Sequence, residues 1–190
     1  MRFHRGPLWV AVVIASTIVA HAASFVVFPK ADQLPSQDGR FVVRNTDRAA
    51  PLSEYLGTFH SLFVEDTAHG RTRKLCDYLG VAAVAWADND FIIVTQYVGK
   101  HTSRALIFAA DDSHAPVLID QPLLTTLVPG ALRPRLLEND HVFVEASQVE
   151  GQTLMLSVWG YGKHDANGFH WRCEYSMVEG AISCQETPRP

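Results

Sequence analysis

The sequence predicts an all-β fold, an antiparallel meander with one short helical insertion. Three observations predict it. Short runs rich in Val, Ile, Phe and Thr recur along the chain. Turn residues (Gly, Asp, Asn) separate them at hairpin spacing. One stretch, 122–138, breaks the pattern with Leu-rich helical turns interrupted by Pro129, Gly130 and Pro134.

The 190-residue chain opens on a segment that does not belong to this fold. Arg2 and Arg5 give a positive start, and Pro7 to Ala20 is almost wholly apolar. Ala20-His21-Ala22 then places small residues where a signal peptidase requires them. The apolar run is short against the ~20 residues that span a bilayer. Residues 1–22 are therefore expected to be a signal peptide, with cleavage before Ala23. No cysteine follows the run, so no lipid-anchored start is expected. Residues 23–190 form one β-rich domain in this reading, exported to a periplasm or secreted, with no membrane attachment after cleavage.

The strands follow in order. Phe25 to Phe28 ends at Pro29. Arg40 to Arg44 follows the Asp38-Gly39 turn. Phe59 to Asp66 and Arg71 to Cys76 flank the turn at Thr67-Ala68-His69-Gly70. Val81 to Trp86 has few polar interruptions and reads as buried. Phe91 to Val98, Arg104 to Ala109 and the short Pro116 to Asp120 come next. The helical candidate is Pro122 to Val128, with a second turn at Leu132 to Glu138. His141 to Ala146, Thr153 to Gly160, Gly168 to Tyr175 and Ala181 to Cys184 close the chain.

Three of these strands begin alike. Gln37-Asp38-Gly39-Arg40-Phe41-Val42-Val43, Asp88-Asn89-Asp90-Phe91-Ile92-Ile93-Val94 and Glu138-Asn139-Asp140-His141-Val142-Phe143-Val144 each run from an acidic or Asn-rich turn into an aliphatic strand. Asp38, Asp88 and Glu138 stand 50 residues apart. A period of that size with several strands per unit is within the range of propeller blades; a plain antiparallel meander, which produces turns at similar spacings, is the alternative. The units are 34–86, 87–137 and 138–186.

Ser36-Gln37-Asp38-Gly39-Arg40-Phe41 resembles the S-P-D-G-R-aromatic turn of TolB-like, WD-repeat-like propeller blades. Leu62 to Asp66, Gly70, and Arg73-Lys74-Leu75 resemble the next strand, turn and strand of such a blade. Val81 to Ala87 resembles the strand that leads into the following Asp turn. The likeness covers residues 34–110. It departs at Gln37, where the family has Pro, and at Gln121 to Asn139, which has no counterpart. The resemblance implies blade-like repeats. Three units are fewer than the ~4–8 blades of a closed propeller, so sheet edges need cover. Phe25 to Phe28 is expected to supply it by pairing with Thr153–Gly160 or Gly168–Tyr175, within one chain rather than between two. A monomer is expected over a homodimer.

All three cysteines lie after the leader. Cys173 and Cys184 flank a hairpin with a four-residue loop, Met177 to Gly180, which sets them opposite each other. They are expected to form a disulfide. Cys76 is left over and reads as a buried, inert thiol.

Removing the leader takes Arg2 and Arg5 with it, so the net charge of −4 becomes −6. An acidic, mixed surface excludes nucleic acid as the expected partner. The chain has no G-x-S-x-G elbow, no HExxH and no Gly-rich phosphate loop. His60, His101, His114 and His141 lack ligand spacing. No catalytic residue, cofactor or metal is assigned.

The most site-like stretch is Trp159-Gly160-Tyr161-Gly162-Lys163-His164-Asp165-Ala166-Asn167-Gly168-Phe169-His170-Trp171. Trp159, Tyr161, Phe169 and Trp171 could stack on a sugar or peptide, with His164, Asp165 and Asn167 taking polar groups. Asp165-x-Asn167-Gly168 is a fragment of a calcium loop without its final carboxylate. The structural alternative is a hairpin turned at Asn167-Gly168, with Trp159, Tyr161, Phe169 and Trp171 on one face against the core. The expected function is an exported, non-enzymatic module that binds a protein or a glycan. The alternative is a small secreted hydrolase with a spatially assembled site.

Overall fold

The computed structural model describes residues 24–47, 59–98, 101–124 and 128–188. The expected signal peptide lies outside them. Thirteen strands and two short helices are present among the described residues. The strands are β1 (Val26–Phe28), β2 (Gln33–Pro35), β3 (Phe41–Asp47), β4 (Phe59–Asp66), β5 (Arg71–Leu79), β6 (Ala82–Ala87), β7 (Phe91–Tyr97), β8 (Thr102–Ala109) and β9 (Val117–Leu118). After helices α1 (Asp120–Leu123) and α2 (Leu132–Glu138) come β10 (His141–Glu150), β11 (Thr153–Tyr161), β12 (Phe169–Ser176) and β13 (Ala181–Glu186). No helix among these residues is long and apolar enough to cross a membrane. The all-β expectation holds.

One sheet has the order β2-β3-β4-β5. The other has nine strands in the order β1-β6-β7-β8-β10-β11-β12-β13, with β9 on β8. Within them lie three consecutive antiparallel runs of four strands: β2–β5, β6–β9 and β10–β13. The second and third are joined by a short parallel contact, Val142 opposite Thr102 and Phe143 opposite Ser103. Neither sheet closes on itself.

The strand pairing around β6 differs from the grouping of strands along the sequence. Val81–Trp86 was placed at the end of the first unit, yet β6 pairs with β7 and β1 rather than with β5. Gly80, at φ +73°, turns the chain out of the first sheet. β2, unread in the sequence, supplies the first strand of the opening run. Its Pro35 is tolerated because β2 is an edge strand.

The expected pairing of Phe25–Phe28 with a C-terminal strand is also wrong. Val26, Val27 and Phe28 stand opposite Val84, Ala83 and Ala82 of β6. Packing explains the choice. Phe28 is fully buried in the cluster that joins the two sheets, together with Phe41, Val43, Leu62 and Tyr78. Burying such a ring contributes roughly 1.5–3 kcal/mol, and no C-terminal strand borders that cluster.

The strands β6–β8 lie between two cores. Val84, Trp86, Ile92, Val94 and Phe108 face β3–β5. Ala85, Ile93, Ala105 and Ile107 face the other way, toward Leu154, Leu156, Val158 and Trp171. The run VAAVAW is nearly all apolar because both faces are covered. The helices close the second core through Leu123 and Leu132. Pro134 falls in the first turn of α2, where a missing N–H costs nothing. The expected second turn, Leu132–Glu138, is present as α2. Helix α1 starts earlier than expected, and residues 125–127 of the expected first turn lie outside the described residues.

Cys173 stands opposite Cys184 and the two are bonded, as the hairpin register requires. Cys76 is free. Burial, reinforced by Asp77, pushes its thiol up to about 12. It is therefore a poor nucleophile at neutral pH.

Candidate functional site

The site-like stretch forms the end of β11, a loop, and the start of β12. Two glycines let it fit. A side chain at Gly160 would strike the His141 carbonyl oxygen and the Phe169 ring. One at Gly162 would come within 2.6 Å of the Asp140 amide nitrogen. The loop turns at Asp165–Gly168, where the Gly168 N–H donates to the Asp165 carbonyl at 2.8 Å.

The loop is tied to α2 and to its C-cap residue, Asn139, by several side chains. Asn139 Nδ2 donates to Asp165 Oδ2 and to the Arg135 carbonyl, both at 2.9 Å. Asn139 Oδ1 accepts the N–H groups of His164 at 3.1 Å and Asp165 at 3.0 Å. Arg135 pairs with Asp165 at 3.6 Å and with Glu186. His164 Nδ1 lies 3.1 Å from Glu138 Oε2. The Asp165 carboxylate is thus engaged inside the protein. Asn167 is exposed at the turn. Among the described residues, no three His, Cys, Asp or Glu side chains gather as metal ligands.

The four aromatics do not share a face. Gly160 stands opposite Phe169, and Val158 opposite Trp171, all on the core side. Trp159 stands opposite His170 on the outer side, and Tyr161 follows it there, 40% exposed. The expected single face is therefore wrong. Pairing in this hairpin is one residue away from the register that would align Trp159 with Trp171. Such a shift exchanges faces.

The outer face instead gathers residues that the sequence pattern did not connect. His141 is opposite Tyr161, Phe143 opposite Trp159, and Glu145 opposite Ser157. The Phe143 and Trp159 rings stack at 4.0 Å, only 13° from parallel. His141 stacks on His101 at 4.3 Å and meets the edge of Tyr161 at the same distance. Glu145 is held by two donors. Tyr97 O–H donates to Oε1 at 2.7 Å, and Trp159 Nε1 donates to Oε2 at 3.1 Å. Burial, then the Glu145 bond, raises the Tyr97 phenol to about 12, so it remains a donor. Alternation along β10 was the available signal for Phe143 and Glu145. Nothing local pointed to Tyr97, which arrives from β7.

One serine–histidine contact lies on this face. Ser157 Oγ and His170 Nε2 are 2.9 Å apart, but His170 Nδ1 meets the hydroxyl of Thr187 at 2.6 Å, not a carboxylate. A nucleophilic triad needs a third group that stabilises the imidazolium. A cavity of about 230 Å³ with a mixed polar and apolar lining lies between the helices and the start of β8 and β10. Asp120, raised by burial and opposed by Arg104, lines it, yet neither His nor Cys does. Asp66 and His69 meet at 2.8 Å, but Asp66 also caps the turn by accepting the N–H groups of Ala68 and His69.

Comparison with known proteins returns no matching family model, no matching curated protein and no matching solved structure.

Proposed function

We propose that the chain is an exported, non-enzymatic binding module of propeller-blade-like units, and that a protein partner seats on the outer face of β10–β12. The observation that carries this reading is the ladder of opposed pairs His141/Tyr161 and Phe143/Trp159 on the outer face of the sheet. Aromatic side chains supply large contact area at small entropic cost and are enriched where proteins meet. His170 and Arg172 continue the same face into β12 as a polar flank. Phe143 occupies one face of Trp159, which favours a protein surface meeting ring edges over a sugar needing a free ring face. The leader sequence and the Cys173–Cys184 bond support export to an oxidising compartment.

The test is site-specific photo-crosslinking on the exported chain in its own cells. A crosslinker at position 161 should yield discrete protein adducts that Trp159→Ala abolishes. The same group at Thr72, on the far sheet, should yield none. Specific retention on a glycan panel without protein adducts would replace the protein partner with a sugar. Ester or peptide hydrolysis lost in Ser157→Ala would overturn the non-enzymatic reading.

A further inference from the structure

We propose that the cavity where β8 and β10 part binds a small primary amine in its protonated form, carried on a short apolar chain. Among the described residues, β8 and β10 pair at two positions, Val142 opposite Thr102 and Phe143 opposite Ser103. Beyond them the strands separate. β10 then leans on β7, where the Ala146 N–H donates to the Thr95 hydroxyl at 3.0 Å. The space left between these strands and the helices measures about 230 Å³. At ~30 Å³ for each water-sized group it admits about seven of them, which suits a compound below drug size. Its apolar part is Leu123, Leu124, Leu136, Val142 and Val144. Val142 and Val144 alternate along β10 with His141, Phe143 and Glu145, so the cavity lies behind the aromatic ladder rather than on it.

Asp120 gives the site its demand for a donor. Its Oδ1 is buried and has no hydrogen-bond partner. Its other oxygen lies 3.4 Å from Arg104 Nε, beyond the roughly 2.7–3.2 Å of a good N–H···O bond. A carboxylate oxygen left unmet in such a place is destabilising until a donor arrives. Burial raises the Asp120 carboxyl above its ordinary value, although Arg104 pulls it down. The charges in the lining are Arg104, Asp120 and Asp140, one positive against two negative. The other polar residues are Thr102, Ser103 and Asn139. Asn139 is already engaged by Asp165 and by the backbone of His164 and Asp165.

A primary ammonium answers both needs. It carries three donors and one positive charge, so it meets the Asp120 oxygen and offsets the surplus of negative charge. The carboxyl turns readily about its last torsion, and the long Arg104 contact does little to fix it. Either oxygen can therefore be presented to the cavity. A short alkyl chain on the amine then covers the Leu and Val side chains of the lining. An anion would meet two carboxylates, and a neutral alcohol would bring one donor and no charge. This site does not depend on a partner seated on the outer face of β10–β12.

Pentylamine, pentanol and pentanoate, titrated into the full chain at neutral pH and followed through methyl resonances, test the proposal. Pentylamine should shift the Leu123, Leu136, Val142 and Val144 signals saturably. Pentanol should bind about tenfold more weakly, and pentanoate should produce no saturable shift. Asp120→Asn should erase the preference for pentylamine while leaving pentanol affinity unchanged. Arg104→Gln, at a half-exposed side chain, should tighten pentylamine about threefold by removing the competing cation. A merely structural Arg104–Asp120 pair predicts no such gain. Absence of a saturable pentylamine shift at those methyls would overturn the proposal. So would a preference for pentylamine that survives Asp120→Asn. Tighter binding of Nα-acetyl-lysine methylamide than of pentylamine would overturn the assignment to a free compound and give the ammonium to a protein's lysine side chain.

Discussion

The backbone N–H of Asp38 donates to the side-chain oxygen of Asn89 at 3.1 Å. These residues belong to two turns that occupy corresponding places in the sequence, and the fold sets them side by side. The contact ties the first sheet to the second at the ends where β3 and β7 begin.

Asn89→Ala should therefore cost about 0.5–1 kcal/mol and lower the melting temperature by about 2–4 °C. The bond is exposed, so water replaces much of it. Urea unfolding measures the effect. A loss above about 3 kcal/mol would mean that Asn89 does more than cap its neighbour's turn.

Asp38 shapes the acid limb of stability. Its Oδ1 accepts the Ser36 hydroxyl at 2.7 Å and the Arg40 N–H at 3.0 Å. These bonds, the hydroxyl first, hold its carboxyl below the ordinary range. Since the folded value lies below the unfolded one, the contribution is present above the unfolded pKa of about 3.9 and disappears as pH falls through the folded value. Asp38→Asn should melt below the parent at about pH 6 and converge with it by about pH 2. A gap that stays constant across that range would show that the charge contributes nothing.

The two glycines before the site loop should differ sharply from turn glycines. At Gly160 a methyl group would run into the His141 carbonyl, a backbone atom that cannot rotate away. Gly160→Ala should cost 3 kcal/mol or more, roughly the scale of severe overpacking. Gly70 has open space around it and only a positive φ of +62° to lose. Gly70→Ala should cost about 1 kcal/mol. Equal losses at the two positions would contradict the close approach of β10 to β11.

The cysteines should separate by chemistry. Peptide mapping without reductant should recover Cys173 joined to Cys184. Replacing both with Ala should cost about 2–3 kcal/mol, the value for so short a closed loop. Cys76, lifted from an ordinary 9.0 to about 12, should alkylate roughly a thousandfold more slowly in the folded chain than in the unfolded one. Rapid labelling at pH 8 under native conditions would show that β5 opens easily.

Deleting residues 24–30 should destabilise the fold and promote association, although not through the partner strand expected from sequence. The deletion empties the position of the fully buried Phe28 and bares the edge of β6. Phe28→Ala alone should cost about 3–5 kcal/mol. A deletion variant that melts with the parent and stays monomeric in sedimentation would make β1 dispensable.

Local chemistry determined most of the strands, the turn at Met177–Gly180 and the Cys173–Cys184 bond. Alternation and turn residues act over a few positions, and a four-residue loop leaves one register for the hairpin. The same reasoning found the loop at 162–168 but not its register, because a longer loop does not fix one. There the choice falls to contacts such as that of Asn139, which grips the loop from the C-cap of α2, 26 residues away, and a one-residue difference sends Phe169 and Trp171 inward while Trp159 and Tyr161 stay outside. Only the tertiary structure brought Tyr97 and Glu145 to Trp159, seated Phe25–Phe28 beside β6, and moved β6 out of the first run of strands. Those pairings join distant segments. They are selected by which apolar faces can be buried together, and that is a property of the whole core rather than of any stretch of chain.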